Sequence, residues 1–113
     1  MVVSDITNQK VIQTLPIGEQ VDGVVFDPAL KLAFSSNGEG TVTVVKEESS
    51  NQYTALQNIP TQKGARTIAL DPHIHHLFLP TAEYGPAPAP TADDPNPRPT
   101  IKPGTFVILE LGE

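Results

Sequence analysis

Short stretches rich in apolar residues recur along this chain, and turn-forming residues separate them at short, regular intervals. Thr41-Val42-Thr43-Val44-Val45 shows the pattern of a strand with one buried face. Two other segments, Val24-Val25-Phe26 and Ile68-Ala69-Leu70, are continuously apolar, which predicts strands covered on both faces. No stretch sustains the 3.6-residue spacing of an amphipathic helix, so the expected class is all-β and antiparallel. The pattern predicts nine strands, at 1–6, 10–17, 21–27, 32–37, 41–47, 52–59, 65–71, 76–82 and 105–111. Small residues at Gly23, Ala65 and Ala69 suit a crowded centre.

The spacing of these strands repeats. Asp27-Pro28 returns at Asp71-Pro72, a step of 44 residues, and Val24, Phe26 and Phe34 map onto Ile68, Leu70 and Phe78 at the same offset. Leu15-Pro16 likewise maps onto Ile59-Pro60. Proline presets φ in each turn and the aspartate can accept hydrogen bonds from the backbone ahead of it. Asn37-Gly38 and Gly40 are candidates for left-handed backbone between strands. A period in the forties that carries strands predicts β-propeller blades of four strands each, called A to D from the axis outwards. Such a unit buries its faces only against neighbours. Phe26 and Leu70 are expected to fill the space between blades.

On this plan residues 1–17 form a partial blade, 18–60 a full one, and 61–113 a blade lacking its outer strand and carrying a long insertion. Met1 aligns with Thr43, so the start of a strand C has no counterpart. Nine strands also do not divide into whole four-stranded units. The expectation is a C-terminal portion of a longer propeller, about two blades plus a partial one. Its partners would then be the missing blades or further copies of itself.

The blade letters resemble the YVTN (YncE-like) β-propeller repeat family. The resemblance rests on Phe26-Asp27-Pro28, on Phe34-Ser35-Ser36-Asn37, on Gly38-Glu39-Gly40, on Thr41 to Val45, and on Lys10 to Gly18. The second repeat departs from the pattern, with Leu79-Pro80-Thr81 where a strand ending in Asn is expected. What the resemblance implies is a non-enzymatic binding scaffold whose loop face meets a ligand or protein. It also implies a parent protein in the periplasm or outside the cell. Some similar propellers are parts of enzymes, which leaves a redox or lactone-hydrolysing parent with its catalytic residues in other blades as the alternative. Self-assembly of the fragment is the third reading.

Composition narrows the chemistry. Seven basic residues stand against 13 acidic ones, a net charge of −6, which argues against binding to a phosphate backbone. With no cysteine, disulfides, thiolate metal sites and a cysteine nucleophile are excluded. No apolar run reaches the roughly 18 residues of a membrane-spanning helix, and the first residues, Met1-Val2-Val3-Ser4-Asp5, lack the pattern of an export signal.

Individual residues offer little catalysis. His73, His75 and His76 match no zinc spacing and are expected to be a polar turn rather than a metal site. Ser35 and Ser36 lie in no Gly-x-Ser-x-Gly elbow. Asp93-Asp94 and Glu47-Glu48 read as solvated charges. No catalytic residue, metal or cofactor is therefore expected. Propeller topology instead places Asp22, Lys63 and Arg66 where the innermost strands begin. Glu39 and the 83–104 loop, with Tyr84 at its start, would flank them as a site for a small polar ligand or a partner's loop. That loop is rich in proline and 20 residues longer than the turn it replaces, so it is either a spacer or a binding lid.

Overall fold

The computed structural model describes residues 1–112, which form nine strands in three antiparallel sheets. A two-stranded sheet holds β1 (Val2–Asp5) and β2 (Lys10–Thr14). A four-stranded sheet follows in chain order: β3 (Val21–Asp27), β4 (Leu32–Asn37), β5 (Thr41–Ser49) and β6 (Gln52–Pro60). The last sheet holds β7 (Ala69–Asp71), β8 (His76–Thr81) and β9 (Val107–Leu111). The all-β, antiparallel expectation holds. No helix among the described residues is long and apolar enough to cross a membrane.

The 44-residue repeat is present in the backbone as well as in the letters. Val25, Phe26 and Asp27 pair with Phe34, Ala33 and Leu32; Ala69, Leu70 and Asp71 pair with Phe78, Leu77 and His76, in the same register 44 residues on. Asp27 Oδ1 accepts the Ala29 amide at 3.1 Å, and Asp71 Oδ1 accepts the His73 amide at 2.9 Å. Left-handed backbone recurs too, at Gln20 and Gly64, at Lys31 and His75, and at Gly40 and Gly104. Gly38 is not left-handed. Its lack of a side chain serves close packing instead, since a Cβ there would come within 3.1 Å of Arg66 Cδ.

Packing between the second and third sheets forms the main core. Phe34, Val42 and Val44 from one side meet Leu77 and Leu79 from the other, with Ala65 between and Val25, Ile68, Leu70 and Leu109 around them. The opposite face of the four-stranded sheet buries polar groups, and these satisfy one another. Asn37, with no exposed surface, accepts the Ser35 hydroxyl at 3.2 Å and donates to the Thr41 and Thr43 hydroxyls at 3.0 and 2.9 Å. The Thr43 hydroxyl continues the chain to Asn58 Oδ1 at 2.6 Å and receives the Gly18 amide at 3.0 Å. Replacing Asn37 by Ala strands the Ser35 hydroxyl and takes one donor from each of the Thr41 and Thr43 hydroxyls. We expect a loss of about 1–3 kcal/mol, read from the chemical-denaturation midpoint.

Three expectations need correction. The apolar run of β3 is not covered on both faces: Val24 is 63% exposed and Phe26 44%. The two-stranded sheet docks on the far side of its neighbour, where the Gln13 carboxamide donates to Tyr53 O at 2.7 Å and accepts the Tyr53 amide at 2.8 Å. It therefore lies beside β6 and leaves β3 open. The seventh strand begins at Ala69 rather than at residue 65, because Gly64 turns the chain and buries Ala65 against the core as a link. The ninth strand begins at Val107 rather than at residue 105, two residues beyond the 20 that the loop has added by Gly104: Ser35 faces Thr43, whereas Leu79 faces Leu109. An even shift keeps Leu109 and Leu111 on the core face.

Candidate functional site

In an antiparallel meander the β4–β5 turn and the link into β3 emerge at one end of the sheet. Backbone hydrogen bonds brace that end. The Gly38 amide donates to Gln20 O at 2.8 Å, the Gly64 amide to Gly38 O at 2.9 Å, and the Ala65 amide to Gln62 O at 3.0 Å. The Thr81 hydroxyl adds a bond to Lys63 O at 3.3 Å. The links before β3 and β7 are thereby joined to the end of β8 as a floor.

The 83–104 loop supplies the wall. Its stem is zipped: Tyr84 bridges Ile101, the Gly85 amide donates to Thr100 O at 2.6 Å, and the Lys102 amide donates to Glu83 O at 2.8 Å. Thr105 Oγ1 closes the base by accepting the Glu83 amide at 3.0 Å. The Tyr84 ring lies directly over Gly64. A Cβ on Gly64 would stand 2.6 Å from Tyr84 Cε2, and the left-handed φ of 85° also favours glycine there. Floor and wall enclose an open cleft of about 820 Å³, within the roughly 300–1,000 Å³ of ordinary ligand sites.

Lys63, Arg66 and Tyr84 line this cleft, and Arg98, Lys102 and Glu83 join them. Four of the chain's seven basic residues thus share one cavity with a single acid. Among the described residues, no carboxylate lies within ion-pair distance of any of the four, since the close pairs are His75–Asp27 and His76–Glu110. Asp22 and Glu39 are not part of the lining. Asp22 is an exposed residue of β3, and the Glu39 carboxylate accepts the Thr41 hydroxyl at 2.8 Å. Arg98 and Lys102 were obscured in the sequence by the prolines around them. Their only signal was that they are the two cations of an otherwise acidic and neutral loop.

Two of the three histidines make side-chain contacts that tie strands and turns together. His75 Nδ1 lies 2.5 Å from Asp27 Oδ2, joining the β7–β8 turn to the β3–β4 turn at the end of the sheets opposite the cleft. Burial would raise the Asp27 carboxyl. Hydrogen bonds from His75 and the Leu30 amide, the charge of His75, and the Ala29 amide outweigh it and hold the carboxyl below its ordinary range. His76 Nδ1 sits 2.6 Å from Glu110 Oε1 across the β8–β9 ladder. No group of three or more histidines and carboxylates with metal-ligating geometry occurs among the described residues. No family model, curated protein or solved structure matches the chain.

Proposed function

We propose that this chain is a non-enzymatic binding module of β-propeller type, and that the cleft between the 62–66 link and the 83–104 loop takes a small polar ligand. The sheets would be successive blades. What supports this is the 44-residue recurrence of register, Asp-Pro turn and left-handed residues in two sheets that pack face to face. The observation that carries the binding reading is the zipped loop. A segment acting only as a spacer has no need to pair its stem, to seat an aromatic ring on a glycine, or to bring Arg98 and Lys102 into one cleft with Lys63 and Arg66.

Binding is favoured over catalysis by the lining itself. It contains no histidine, serine, threonine or cysteine, so the common nucleophile–base pairs are not available within it. The test is amide chemical-shift mapping of the whole chain against a library of small polar compounds. We expect at least one compound to shift a contiguous set of amides, at 62–66 and 83–102. A library that leaves those amides unmoved at millimolar concentration overturns the binding reading.

A further inference from the structure

The charge of the cleft runs against the charge of the chain. Four cations and Glu83 leave a local excess of three positive charges, while the rest of the sequence holds twelve acidic and three basic residues. Cations are normally dispersed among acids on an acidic surface, where each gains from a nearby carboxylate. Here they converge on one concavity, and none of the described carboxylates other than Glu83 belongs to its lining. Holding like charges together without partners costs free energy, and a bound anion would recover it.

Resting on the binding reading above, we propose that the ligand is a small polyanion, carrying two or more phosphate or carboxylate groups. Arg66 comes from the floor, in the link before β7, and Arg98 from the loop that forms the wall. Each guanidinium presents a planar fork that matches a carboxylate or phosphate with two hydrogen bonds. Lys63 and Lys102 supply point charges beside them. Tyr84, 43% exposed over Gly64, offers an apolar face and a hydroxyl to the part of the ligand between its acidic groups. Size and field both favour a small ligand over a polymer. The cleft's volume of about 820 Å³ suits a molecule of metabolite size, and the acidic surface beyond it repels an extended chain of phosphates.

Isothermal titration of the whole chain with pyrophosphate, citrate and neutral maltotriose, at low and at moderate salt, tests this. Pyrophosphate, citrate or both should bind, more weakly as salt rises, and maltotriose should not. Preference between the two anions identifies phosphate or carboxylate as the source. Arg66→Gln and Arg98→Gln should each weaken binding by about tenfold, as loss of a hydrogen bond to a charged group does, with thermal melting unchanged. If both variants bind the anions as the parent chain does, the site lies elsewhere and the proposal falls. Binding of maltotriose without the anions overturns the polyanion and leaves the cleft as a ligand site. Silence from all three probes overturns the polyanion, and a library screen that also fails then removes the binding reading with it.

Discussion

Leu79→Ala is expected to cost about 2–5 kcal/mol of folding free energy, read as a fall in the denaturation midpoint with an unchanged slope. Leu79 has no exposed surface and sits at the middle of β8, paired with Leu109 and packed in the cluster with Phe34, Val42 and Val44. Truncation leaves a cavity that two hydrogen-bonded sheets cannot close without breaking a ladder. Against an ordinary stability of about 5–15 kcal/mol, that loss leaves the fold marginal. Phe26→Ala should cost about half as much or less, since Phe26 is 44% exposed on the open face of β3. A larger loss at Phe26 than at Leu79 would mean that the principal core lies on the other side of the four-stranded sheet.

The second large effect lies at Asp27, which is 1% exposed and holds two turns together through His75 and two backbone amides. Its carboxyl is held below the ordinary range in the folded chain, so the unfolded chain takes up the proton first as the solution is acidified. The stability it contributes is therefore present above the unfolded carboxylate value of about 3.9. It is lost as the pH falls through the lower, folded value. Asp27→Asn should melt several degrees lower than the parent at pH 7, and the gap should narrow as the pH falls below about 4. Parallel melting curves for the two proteins across that range would rule out Asp27 as a source of acid sensitivity. His75→Gln is the companion variant: it removes the partner across the two turns but keeps the amide bonds within the first, so its loss should be the smaller one.

Much of the fold could be read from the letters because strands and tight turns are local. The 44-residue repeat placed the strands, and the aspartate that opens Asp27-Pro28 and Asp71-Pro72 bonds the backbone two residues ahead in both turns. What stayed hidden was long-range. A continuously apolar β3 has the same pattern whether one face is covered or two, so the exposure of Val24 and Phe26 depends on where the β1–β2 sheet docks. For the candidate site, topology was enough to bring Lys63, Arg66 and Tyr84 together. It failed for Glu39, whose carboxylate is held by a hydroxyl two residues away, and for Asp22, which lies outside the lining. Arg98 and Lys102 enter through the Tyr84–Ile101 bridge, and composition carries no trace of such a pairing.

The paired left-handed positions have a consequence for how this chain can change. Gln20 answers to Gly64, and Lys31 to His75, so the same bend is spelled with different letters in the two sheets. A side chain pays roughly 1–2 kcal/mol to adopt that bend and glycine pays almost nothing, yet both spellings persist. Geometry at these points is inherited by place rather than by residue. Mutational drift can therefore erase the likeness between the two repeats long before it disturbs the path of the chain.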